Sequence, residues 1–106
     1  MNTVIENDET LHVKKNNRDT KIDVNRTEKV GKNVTEDIGM VWKVKAGTMI
    51  QFECGASKIT MTPASIKIES TIIDVAATGT LSAKGTMTSV TGNAILTLKG
   101  GLVLIN

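Results

Sequence analysis

Glycine recurs every eight residues through the middle of this chain, at Gly31, Gly39, Gly47 and Gly55, and the register returns at Gly79. Each of the first four follows a small or apolar residue: Val30, Ile38, Ala46 and Cys54. A fixed short period marks a repeat architecture, in which one unit is stacked against copies of itself. Eight residues hold one short strand and one corner, too little to bury a face alone. A second thread keeps the same step: Asn17, Asn25 and Asn33 open the polar stretches NRDT, NRTE and NVTE. Asparagine tolerates turn conformations, so these belong at or beside corners.

The interior such a chain can build is thin. Ile, Val and Thr supply 36 of 106 residues, whereas Trp42 and Phe52 are the only aromatics. β-branched side chains suit extended backbone. Scarce rings mean little apolar area per residue, so a compact monomer would be poorly supported. The net charge of +2 gives no electrostatic reason to expect nucleic acid or an acidic membrane surface. Residues 1–53 hold 18 of the 24 charged side chains, nine of each sign, and the second half stays polar through Thr and Ser. The lone Cys54 excludes an internal disulfide and takes the slot of Val30 and Ile38, as a small apolar residue. No apolar run reaches the roughly 18 residues of a membrane span, and no signal peptide is visible.

Residues 1–21 read as a linker and short-strand lead-in, with Leu11-His12-Val13 as the short strand, and residues 22–106 as the octad array. Ile38, Met40, Trp42, Val44, Ala46, Ile50, Phe52, Cys54 and Ala56 share one parity, the strand period of two. Beyond Ala56 the parity moves to Ile59 and Met61, returns at Ala64, Ile66 and Ile68, and moves again near Ile73 and Val75. Such slips call for bulges or shortened corners. Pro63 stands where the next octad glycine would fall and fits a corner. No Asn-Gly or Asp-Gly is present, which favours corner-by-corner winding over meanders and Greek keys. Gly31, Gly39, Gly47, Gly55 and Gly79 are expected at corners, and Val30, Ile38, Met40, Val44, Ile50, Phe52, Ile66 and Ile68 in the core.

Three octads close a triangle, either within one chain or shared among three. In the shared case each octad climbs about 4.8 Å and ten octads give a prism of about 50 Å. Sharing pairs every strand with a neighbouring chain and leaves no lateral edge. The expected fold is therefore all-β: an intertwined triple-stranded β-helix, a triangular β-prism built by a homotrimer.

The segments NDETLHV, NRTEKVGKNVTEDIG, WKVKAG and GTMTSVTGNAILTLKGGLVLIN resemble the C-terminal β-helical needle of the type VI secretion spike, valine–glycine repeat protein G (VgrG). That family is related to the contractile-phage baseplate spike, and the resemblance covers nearly the whole chain. It implies a structural, non-catalytic trimer that pierces the target-cell envelope and carries a tip protein and effectors, assembled in the bacterial cytoplasm and then translocated into the target cell. It implies three partners besides the other copies: a tube of hexameric Hcp, reached through preceding domains; a conical PAAR-repeat protein at the tip; and the target membrane, transiently. The array would then be a fragment of something longer, carrying no toxic domain after Asn106. Some phage needles end in a histidine-ligated metal apex; no histidine stands near this C-terminus. The uncharged run Leu102, Val103, Leu104, Ile105 and Asn106, tripled at a threefold end, is the expected docking plateau for the tip protein.

Catalytic and cofactor chemistry finds no support in the residues. His12 is the sole histidine, so neither a His cluster nor a Ser/His/Asp triad assembles without it. The carboxylates Glu36-Asp37 and Glu6/Asp8/Glu9 alternate with lysines or lie in polar stretches and read as solvated charge. The glycines precede no helix or P-loop lysine, Lys14-Lys15 is too short for a nucleic-acid patch, and Trp42 reads as packed rather than as a ligand platform. Neither an enzyme nor a resident cofactor or metal is expected. A passive adhesin or fibre stalk could use the same prism. A carbohydrate-active solenoid lacks the aromatic platform and the aligned carboxylates.

Overall fold

The computed structural model of the chain describes residues 4–106. The first three residues of the 1–21 lead-in lie outside this range. Among the described residues there are three strands and no helix. The chain divides into two units, one ending at Trp42 and one spanning Lys43–Asn106. That division reflects contacts and falls inside the octad array, whereas the 21/22 boundary expected above reflects composition.

Among the described residues up to Trp42 the backbone forms no ladder. Sharp bends fall at 6–7, 15–16, 23–24, 31–32 and 39–40, the last four at a step of eight. Gly31 and Gly39 each begin a bend, and Asn17, Asn25 and Asn33 come directly after one. Between bends the chain is drawn out: Arg26 Nη2 reaches Glu28 Oε2 at 3.1 Å, which puts residues two apart on one side, as extended backbone does. Leu11-His12-Val13, expected as a short strand, has no strand partner and stays irregular. A strand needs a neighbour for its backbone groups, and this unit supplies none.

In Lys43–Asn106 the bends continue at 47–48, 55–56, 63–64, 71, 78–79, 86–87, 93–94 and 101–102. The step holds at eight as far as 71 and then alternates between seven and eight. Three successive segments fold back on one another as an antiparallel sheet in the order β1 (Ile50–Cys54), β2 (Ser57–Met61), β3 (Ile66–Glu69). This corrects the expectation that meanders are disfavoured here. The reversals are two-residue turns. At the first, φ is +58° at Gly55 and negative at Ala56, the φ signs of a type II′ turn, which needs glycine at its first central position. Its twist suits a hairpin without any Asn-Gly.

At the second reversal Thr62 N–H donates to the Ser65 carbonyl at 2.9 Å, and Ser65 N–H donates back to the Thr62 carbonyl at 3.3 Å. Pro63 and Ala64 are left as the loop, both with negative φ. Proline is preset for the first central position of such a turn, and its missing N–H faces no ladder partner there. The side chains add a clasp, with Thr62 Oγ1 and Ser65 Oγ 3.1 Å apart.

The register explains the parity slips. Phe52 pairs with Ile59, Ile50 with Met61 and Cys54 with Ser57; then Ile59 pairs with Ile68 and Met61 with Ile66. A two-residue turn sets an even-numbered residue opposite an odd-numbered one, so the slip keeps the apolar side chains on one face. That face carries two apolar rows, Ile50–Met61–Ile66 and Phe52–Ile59–Ile68. The opposite face carries Gln51–Thr60–Lys67 and the charged row Glu53–Lys58–Glu69.

Among the described residues no side chain is buried. The chain exposes 12088 Å². A compact monomer of its 11.3 kDa mass would expose about 5,700 Å². The residues expected to form a core, Val30, Ile38, Met40, Val44, Phe52, Ile66 and Ile68, are all exposed in the single chain, Met40 to 94%, and Ile50 is half-buried. Within one chain there is no core for them to enter.

Candidate functional site: apolar surfaces of the Lys43–Asn106 unit

Two apolar surfaces stand out in this unit. The first is the apolar sheet face. Alternation along β1, β2 and β3 delivers six large apolar side chains to it, and the two tight turns hold their rows in register. Beyond β3 the chain bends at Thr71 and runs alongside. Ser70 Oγ lies 2.8 Å from Ser57 Oγ and ties that bend to the start of β2. A groove of about 500 Å³ lies there, lined by Phe52, Ile59 and Ile68 of the sheet and by Ile72 and Ile73 beyond the bend, with the charged residues Glu53, Lys58, Glu69 and Asp74 also on its lining. Phe52, the only phenylalanine, is 57% exposed on this face.

The charged face behaves differently. Lys58 stands between Glu53 and Glu69 in the register, and Lys67 Nζ lies 3.6 Å from Glu69 Oε1 along β3. Exposed pairs of this sort contribute at most about 1 kcal/mol. Their alternation of sign is that of a surface meant for water.

The second surface is the segment after the bend at 101–102. Leu102, Val103, Leu104 and Ile105 are all exposed, Ile105 to 87%, as is Asn106, and no strand pairs with them. Their backbone donors and acceptors therefore have no ladder partner. Sequence reasoning singled out these five residues and four of the six on the sheet face, Ile50, Phe52, Ile66 and Ile68. It noted the parity change at Ile59, Met61 and Ile73 without placing them in the core, and it missed Ile72; the odd parity of Ile59 and Met61 is the signal that sets them opposite Phe52 and Ile50.

Of the five glycines assigned to corners, all lie at bends. Only Gly55 requires glycine for its backbone conformation. Gly31, Gly39, Gly47 and Gly79 have φ outside the left-handed region and open space where a Cβ would stand. Gly92, one residue ahead of its bend, is different: a Cβ there would run into the Ile95 carbonyl. Trp42 and Cys54 are exposed, and His12 is exposed without an acidic or cysteine partner set around it. Among the described residues no group of three metal-ligating side chains converges, and no helix is long and apolar enough to cross a membrane.

What this arrangement can do chemically is adhere. It offers an apolar sheet face and an unpaired apolar segment, both suited to covering by other polypeptide. Compared with family models, curated proteins and solved structures, the chain has no match.

Proposed function

We propose that this chain is one strand of a homotrimeric, intertwined β-prism that serves as a non-catalytic spike of a type VI secretion system. The reading combines the resemblance of its octads to the VgrG needle with one observation. A single chain exposes about twice the surface of a compact monomer and buries no side chain among the described residues. Such a chain acquires an interior only by sharing one with other chains. Bends outside the sheet, at steps of seven to eight from residue 15 onward, supply the corners of a triangular cross-section.

The prism in this proposal is wound by the octads outside residues 50–69, which find no strand partner in their own chain. The β1–β3 meander forms an in-chain panel between them. Mechanically, stacked and paired strands carry axial force, a narrow section limits the hole needed, and extensive pairing slows unfolding. Leu102, Val103, Leu104, Ile105 and Asn106 dock the PAAR-repeat tip by offering apolar side chains and open strand edges. Preceding domains seat the needle on the Hcp tube. Assembly in the bacterial cytoplasm is followed by translocation when the sheath contracts.

The experiment is capture of a PAAR-repeat protein from the same secretion system by the chain. Replacing Leu104 and Ile105 together with aspartate is expected to abolish capture while the mass of the assembly stays the same. Undiminished capture by that variant contradicts the assigned tip. No capture by the unaltered chain contradicts the secretion reading and leaves the fibre-stalk alternative, which uses the same prism as a spacer.

A further inference from the structure

Outside the β1–β3 sheet, no segment among the described residues has a ladder partner within its own chain. Segments without partners have no ordered backbone pairing until other chains arrive. The sheet differs: two tight turns and two registered ladders order it locally, and loops this short close at little entropic cost. It is amphipathic to an extent unusual for an unpartnered panel. One face holds Ile50, Met61, Ile66, Phe52, Ile59 and Ile68, and the other holds Gln51, Thr60, Lys67 and the Glu53–Lys58–Glu69 row.

The charges mark one face for water, although Lys58 and Thr60 at its centre are half-buried in the single chain, and the exposed apolar face needs a cover. Its own chain does not provide one, because Phe52, Ile59 and Ile68 stay exposed even with the 71–74 segment alongside. The size of the deficit points to the occupant. The chain exposes about 6,400 Å² more than a compact body of its mass, several times the roughly 800 Å² that one partner hides in an ordinary interface. The six apolar side chains of the face are complementary to a copy of themselves, while Glu53, Lys58, Glu69 and Asp74 stand on the lining of the adjoining groove with both signs of charge.

We propose that the apolar face of β1–β3, with the groove it shares with Ile72 and Ile73, is the surface through which copies of this chain associate and set their mutual register. The panel folds first, its face meets the same face of other copies, and the octads on either side then pair from a fixed starting register. The inference rests on the self-associating reading above and adds where association begins.

Cys54 provides a reporter without any mutation. It is exposed in the single chain and shares the face with Phe52, since it pairs with Ser57 in the same register. Alkylation of Cys54 in the full chain is expected to slow about tenfold or more on going from dilute to associated protein, as burial removes access. Alongside it, sedimentation across a concentration series reads the variants. Phe52→Ser is expected to raise the concentration of half-association about tenfold or more, because a desolvated aromatic anchor is lost. Phe52→Leu restores most of the association, and Gln51→Ser, next in β1 but on the charged face, leaves it unchanged.

Association of Phe52→Ser equal to that of the unaltered chain, or an undiminished Cys54 rate in the associated state, overturns the assignment and leaves the trimer standing. Association into dimers that Phe52→Ser still weakens supports this face while contradicting the threefold reading. A chain that remains monomeric at every concentration contradicts both.

Discussion

At Gly55 the backbone has φ +58°, a region that L side chains enter only at a cost of about 1–2 kcal/mol. Gly55→Ala is expected to lower stability by that amount, read as a shift in urea midpoint. Gly47 sits at a bend with ordinary φ and nothing within reach of a Cβ. Gly47→Ala is therefore expected to change stability by less than about 1 kcal/mol, since alanine also narrows the unfolded ensemble. At Gly92 the obstacle is steric: the Cβ of alanine meets the Ile95 carbonyl, backbone that must shift to admit it, at a cost of about 1–3 kcal/mol. A Gly47→Ala loss as large as that of Gly55→Ala would contradict this ranking. The octad spacing alone makes all these glycines look alike. Their differences lie in backbone conformation and local clearance, which spacing does not carry.

For the elements, the period of eight was legible and the direction of the chain at each corner was not. Six extended residues plus a two-residue turn, as from Gly55 to Thr62, also repeat every eight, so one period serves winding and reversal equally. Parity distinguishes them. Constant parity from Ile38 to Phe52 is what a parity-preserving corner gives, and alternation from Phe52 to Ile59 to Ile68 is what successive two-residue hairpins give. Attributing that alternation to bulges or shortened corners put Gly55 and Pro63 at corners but did not see them as the first central residues of two-residue hairpin turns, Gly-Ala and Pro-Ala.

The sheet also yields a prediction of its own. Lys58 sits opposite both Glu53 and Glu69, so Lys58→Glu lines up three like charges. Each like-charged pair costs about 0.2–1 kcal/mol. Lys58→Glu is expected to destabilise the sheet at low salt, and 1 M salt is expected to recover most of the loss, because the Debye length falls to about 3 Å. A loss insensitive to salt would show that the charge row is not its source.

On the scale of the whole molecule, ring-poor composition and abundant Ile, Val and Thr already signalled a chain unable to build an interior alone. The absence of any buried side chain among the described residues is the structural counterpart of that signal. The identity of the covering surface was less legible, because the apolar residues beyond Ala56 change parity and scatter along the sequence until the ladder register collects them. The C-terminal run could be singled out early because Leu102 to Ile105 are consecutive and uncharged, a pattern that needs no register to be seen.

Sedimentation equilibrium of the full chain at low micromolar concentration addresses self-sharing of the interior most directly. The account predicts a single species of three times the 11.3 kDa chain mass. A stable species at the mass of one chain, with the hydrodynamic size of a compact globule, would contradict it.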